Sequence, residues 1–187
     1  MAQIRDWEHH RQMSIRLLEK RTGEGLAVWN ARVAKQRPKD KDALRAWLTS
    51  QGVDGYARML LVMERFGYPG YATASADQLV DAQYEGRPRL RKVYDRIIKA
   101  ASRLGEVTVQ ARKTYVSLVS PRRTFARVQA AKTRVDLALR LEGRRPGGRL
   151  QPSKVHDSMP LQVSFDAPAD VDAEALALLR EAYEENA

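Results

Sequence analysis

The chain has 187 residues, of which 43% are hydrophobic and 30% charged, with a formal net charge of +10 and no cysteine. That composition supports a folded core and excludes disulfide frameworks, thiolate nucleophiles and thiolate zinc sites. No apolar run approaches the length of about 18 residues that a membrane helix needs, and MAQIRDWEHHRQ lacks the apolar core of a signal peptide. A soluble cytoplasmic protein is expected.

From the N-terminus, Ile4, Trp7, Ser14, Ile15 and Leu18 recur at helical spacing until Gly23 and Gly25 interrupt them. Leu26, Trp29 and Val33 predict a second helix ending before Pro38, and Leu44, Trp47 and Leu48 predict a third. Gly52 and Gly55 bracket a turn, after which Ala57, Leu60 and Leu61 predict a fourth helix to Phe66. The third and fourth have the spacing of a helix-turn-helix, but the fourth opens Asp54, Gly55, Tyr56, Ala57 with a single Arg58, which is poor equipment for reading bases. All three tryptophans fall here, as a small helical core requires. His9 and His10 are adjacent, so they point apart on a helix and cannot chelate one ion together.

FGYPGYATAS, residues 66–75, has the glycine, proline and small polar content of a boundary. Residues 1–70 are therefore expected to form a helical domain and 76–187 a second, sheet-containing one. Ser75 and Gln78 sit at capping-box spacing before a short helical piece through Tyr84. Pro88 then suits a first helical turn, and Leu90, Val93, Tyr94, Ile97, Ile98, Ala101 and Leu104 make the most regular amphipathic pattern in the chain. Its opposite side carries Arg89, Arg91, Lys92, Arg96, Lys99 and Arg103, most simply a solvated face and alternatively a phosphate-binding one.

After Gly105 the period drops to two. Val107 and Val109, Val116 and Leu118, Ala126 and Val128, Val135 to Leu141, and Leu161 to Phe165 predict about five strands in a mainly antiparallel sheet. Asp170 is expected to cap a final helix with a buried stripe of Leu176, Leu179 and Tyr183. The fold class is thus α+β, the second domain having a sheet flanked by two helices. Residues 142–160 lack periodicity and read as a long loop.

Charge is unevenly placed: residues 84–154 carry 19 Lys and Arg against 5 Asp and Glu, compared with 13 against 10 before them and 1 against 8 after. Such a concentration is expected to meet nucleic acid or another acidic partner, unless the acidic tail folds back over it. Alternation assigns Tyr115, Ser117, Phe125, Arg127, Arg134, Asp136 and Arg140 to the sheet's second face. Lys113, Tyr115, Phe125, Arg127, Arg134 and Arg140, with Arg144 and Arg145 of the loop, are the candidate nucleic-acid contacts, aromatics stacking on bases and cations holding phosphates. The competing reading covers Phe125 and Tyr115 with the last helix or with the helical domain. Gly147 and Gly148 do not make a P-loop, since no Gly-Lys-Ser or Gly-Lys-Thr follows. His156, with Asp157 beside it or with Asp136, is the one hint of acid–base chemistry. No metal site and no cofactor is expected, and the chain reads more as a binding module than as an enzyme, an adaptor for protein or a small acidic ligand being the alternative.

RTGEGLAVWNARV and ALRAWLTSQGVDGYARMLLV resemble the bacterial domain-of-unknown-function family 4287. DAQYEGRPRLRKVYDRI, KTYVSLVSPRRTFARV, TRVDLALRLEG and DVDAEALALLREAY resemble the domain-of-unknown-function family 5655. The resemblance implies a two-domain bacterial protein and brings no catalytic residue with it. Lys113, Phe125 and Asp136 lie inside the matching motifs. Limited proteolysis should cut between Phe66 and Ser75 or near Arg144 and leave stable fragments; cleavage inside a helix with both segments intact would overturn the expected boundary.

Overall fold

Residues at helical spacing become helices wherever a core can take up their apolar side. The computed structural model describes residues 7–187, so Ile4 of the expected first stripe lies outside the described residues. Helices α1 (Trp7–Thr22), α2 (Leu26–Gln36), α3 (Lys41–Ser50) and α4 (Gly55–Phe66) are followed by a single turn, α5 (Gly70–Thr73), within the glycine- and proline-rich segment. These helices belong to one compact unit, which ends at Ser75. Leu18, Trp29, Val33, Leu44, Leu48 and Leu61 are buried in its core.

Local chemistry sets the helix ends. Gly23 takes φ +73°, a left-handed conformation that stops α1 at little cost. Asp40 caps α3 by accepting the Ala43 N–H at 2.7 Å. Trp29 Nε1 donates to Thr22 Oγ1 at 2.9 Å, which ties α2 to the end of α1, and its ring meets Trp47 edge to face at 6.3 Å.

A polar knot crosses this unit. Glu64 of α4 accepts hydrogen bonds from Arg11 of α1, at 3.1 Å from Nε and 2.9 Å from Nη2, from the Tyr68 hydroxyl, and from Asn30 of α2 at 3.5 Å. Burial pushes the carboxyl upward, but the bonds from Tyr68 and Arg11 outweigh it and hold Glu64 below the usual carboxylate range.

The second unit runs from Ala76 to Ala187. Helices α6 (Ala76–Tyr84) and α7 (Pro88–Ala101) precede six strands: β1 (Thr108–Ala111), β2 (Val116–Val119), β3 (Thr124–Ala130), β4 (Val135–Leu139), β5 (Gln151–His156) and β6 (Met159–Phe165). A 3-10 turn at Pro168–Asp170 then leads to α8 (Ala173–Glu184). The sheet is antiparallel throughout, in the order β1-β2-β3-β4-β6-β5. The fold is α+β, as the change of period implies, with two departures from expectation.

The first departure is a sixth strand. Residues 151–156, expected to be loop, form edge strand β5, whose pairing with β6 slips between Pro152 and His156. Proline is tolerated at a sheet edge and a slipped register destroys clean alternation, so the strand left no period to read. The second departure is the cap of α8. Asp170 accepts the N–H groups of Asp166 and Ala167 at 2.9 and 2.7 Å and closes the 3-10 turn instead, while Asp172 caps α8 through the Ala175 N–H at 3.0 Å. The buried residues of α8 are Ala175, Leu178, Leu179 and Ala182, and Leu176 and Tyr183 of the expected stripe lie only half-buried.

Register places Val109, Leu118, Ala126, Leu139 and Leu161 in one cross-strand row, and Val116, Val128, Leu137 and Val163 in the next. Both rows pack in one apolar core with Leu90, Val93, Tyr94 and Ile97 of α7 and Leu178 and Leu179 of α8. Within this unit, α7 and α8 thus share one face of the sheet.

Because all three tryptophans precede residue 48, tryptophan fluorescence follows the helical unit alone. A carboxylate held below its ordinary pKa of about 4.3 contributes stability that is complete above that value and lost as pH falls through the lower folded value. Glu64→Gln should therefore cost about 1.5–3 kcal/mol at pH 7 and flatten the decline in stability on the acid side. Identical fluorescence melts for both proteins at neutral and acid pH would show that the knot contributes nothing.

Candidate functional site

The face of the sheet opposite α7 and α8 is polar by register. One row runs Gln110, Ser117, Arg127, Ala138, Gln162 and Gln151; its neighbour pairs Gln129 with Asp136 and Asp136 with Ser164. These groups largely satisfy one another. Asp136 Oδ1 accepts from Ser164 Oγ at 2.6 Å and from Arg134 Nε at 2.8 Å, Gln110 Oε1 accepts from Arg112 Nη2 at 3.0 Å, and Gln162 Oε1 accepts the Lys154 N–H at 3.0 Å. In the middle the Arg127 guanidinium lies over the Tyr115 ring, 4.1 Å from its centroid. Such a contact orients a guanidinium without neutralising it. Arg127 has no carboxylate partner among the described residues, and its Nε–H is buried without an acceptor.

Of the eight candidate contacts, the structure brings Tyr115, Arg127 and Arg134 together on this face. Phe125 is not there. It is fully buried in the core and meets Tyr183 of α8 edge to face at 5.3 Å. The register between β2 and β3 shifts at Leu118/Val119, opposite Ala126 and Thr124, and the extra residue, Phe125, turns its ring to the helical side. Simple alternation cannot anticipate such a bulge. Arg140 spends Nε on the Thr124 carbonyl at 3.0 Å, and its Nη1 lies 3.8 Å from Glu142. Arg144 is held by Glu181 of α8 through two 2.8 Å bonds. Lys113 is exposed in the β1–β2 turn, and Arg145 is exposed beyond β4.

The acidic C-terminal segment does return over part of the basic one, through Arg144 with Glu181 and Arg149 with Asp172 at 2.5 Å. Other carboxylates engage Arg91, Arg123, Arg134 and Arg140. Arg89, Lys92, Arg96, Lys99, Arg103, Arg127 and Lys132 have no acidic partner among the described residues. The sequence could report the surplus but not which cations escape pairing, since that depends on contacts far apart in the chain.

The acid–base hint is a turn. His156 Nδ1 accepts from the Ser158 N–H at 3.2 Å and lies 2.8 Å from Ser158 Oγ, a local closure of the β5–β6 hairpin. Asp136 is already bonded to Arg134 and Ser164 and does not orient it. Among the described residues no group of three His, Cys, Asp or Glu side chains is placed to hold a metal ion, and no helix is long and apolar enough to cross a membrane.

Core placement makes a direct prediction for Phe125. Phe125→Ala should cost about 3–5 kcal/mol of folding stability, read as a lowered thermal midpoint of the sheet unit by circular dichroism. An unchanged midpoint would place the ring outside the core.

Comparison with known proteins adds the family. No curated protein and no solved structure matches the chain. The family model described as Domain of unknown function (DUF5655) matches residues 80–186. That match begins within α6, takes in α7, the whole sheet and α8, and leaves the helical unit outside it. With more than half its length and all six strands inside the match, the chain belongs to the DUF5655 family.

Proposed function

We propose that this chain is a non-enzymatic binding module of the bacterial cytoplasm that engages nucleic acid or another polyanion through its basic segment, residues 84–154. The observation that carries the reading is Arg127. It sits at the centre of a sheet face rich in amide, hydroxyl and guanidinium groups, stacked on Tyr115 and holding no carboxylate. A stacked guanidinium keeps its N–H edge for oxygen acceptors, and phosphate oxygens suit it best. The surplus of 19 basic residues over 5 acidic ones in the same segment supplies the long-range attraction. We take the helical unit to be a module of the domain-of-unknown-function family 4287, on the two motifs quoted from it.

A second reading, an adaptor for a protein partner, is favoured by one feature of the helical unit. Tyr56 and Met59 of α4 are exposed at 55% and 44%, one helical turn apart. Arg58 between them donates to Thr49 Oγ1 at 2.7 Å, which spends the one cation a base-reading helix would have used here.

Salt separates the two. Fluorescence anisotropy of labelled single-stranded and duplex DNA and RNA should show binding that falls linearly in log K against log salt, at a slope of about −0.9 per duplex phosphate contact. An apolar protein interface barely responds to salt. Absence of binding to any of the four nucleic acids at low salt would sink the polyanion reading.

A further inference from the structure

The unpaired cations of α7 form a surface of their own. Arg89, Lys92, Arg96 and Lys99, with Arg103 in the turn that closes the helix, follow one another at intervals of three and four residues, and all five are exposed. At 3.6 residues per turn they fall within an arc of about 80° and extend along about 20 Å. None has a carboxylate partner among the described residues. Asp81 and Asp95 both bind Arg91, which lies outside the stripe and is half-buried. Like charges three and four residues apart destabilise a helix, and Arg89 adds a cation to the first turn, where the macrodipole disfavours it and no acidic residue offsets it. A stripe that weakens its own helix, on a chain that places carboxylates beside other arginines, calls for an anion from outside.

The geometry points to duplex DNA as that anion, with α7 laid across the major groove and its cations on the phosphates of both strands. This rests on the polyanion reading above and adds to the sheet face a second, separate surface. The stripe contains no aromatic residue and Phe125 is buried, so the stacking platform that single strands require is missing. A major groove about 12 Å wide admits a helix, and a row of about 20 Å reaches past both of its edges. The deep, narrow major groove of A-form RNA does not admit one. Contacts to phosphates carry no base code, so binding of this kind is independent of sequence.

The experiment uses the full chain and a mixed-sequence DNA duplex of about 20 base pairs, titrated across a salt series; two contacts are worth about 1.8 units of slope. Arg96→Gln with Lys99→Gln should lower the slope by about 1.8 and weaken binding about 60-fold near 0.1 M salt, with a thermal midpoint no lower than that of the unsubstituted protein. Lys35→Gln, on α2 of the helical unit, should leave duplex binding within about twofold, which separates a local loss at α7 from a general loss of charge. If the α7 double variant binds as the unsubstituted protein does while Arg127→Gln weakens binding, the stripe is refuted and the polyanion reading stands. If the unsubstituted protein binds no nucleic acid at low salt, both fall. Equal affinity for single-stranded DNA, for an RNA duplex, or for vesicles containing phosphatidylserine, with the same loss in the double variant, would overturn the assignment to duplex DNA.

Discussion

Within the sheet unit the deciding constraint is that α7 and α8 occupy the same face. Ile97, Leu137 and Leu139 are exposed by 1% or less where helix meets sheet, and the apolar rows around them pack in the same core with both helices. Burial of each such side chain is worth about 1.5–3 kcal/mol, so this contact outweighs any polar interaction in the unit. On the other face the polar groups of Gln110, Arg112, Asp136, Gln162 and Ser164 hydrogen-bond with one another and with neighbouring groups of the sheet.

The same contact fixes the direction of the charges. Burying Leu90, Val93, Tyr94 and Ile97 leaves the cationic side of α7 pointing away from the core. The C-terminal carboxylates that return to the basic segment reach Arg144 and Arg149, because α8 and its cap lie beside those residues. Exposed ion pairs of this kind contribute little stability, about 0–1 kcal/mol each. Their effect is on where the field remains: neutral near Glu181 and Asp172, positive along α7 and around Arg127.

One glycine shows how closely α8 is seated. Gly105, at φ +148°, follows α7, and a Cβ there would stand 2.4 Å from the Tyr183 hydroxyl oxygen. Tyr183 in turn holds its ring against Phe125. The bulge that turns Phe125 inward, the glycine that admits Tyr183 and the Asn186 side chain, which donates to the Arg140 carbonyl at 2.9 Å, all anchor α8 over β3 and β4. That anchoring takes one aromatic away from the polar face and leaves Tyr115 to Arg127 there.

Periodicity by itself determined the helical spans, the change to strands after Gly105, the amphipathic α7 and the concentration of positive charge, because each depends on residues a few positions apart. Tertiary structure alone decided the rest. β5 was invisible because an edge strand with a proline and a slipped register has no alternation. Alternation puts Phe125 on the polar face, whereas a bulge adds one residue and breaks the pleat's count. Asp170 and Asp172 both precede the last helix, and only hydrogen-bond geometry shows that Asp172 is its cap. The candidate contacts scattered for a related reason: a basic residue in sequence is equally a solvated cation, a partner for a distant carboxylate or a free ligand. Which of these Arg144 and Arg134 became was settled by Glu181 and Asp136, contacts set by the packing of helices and strands and, for Arg144, by a residue 37 positions away.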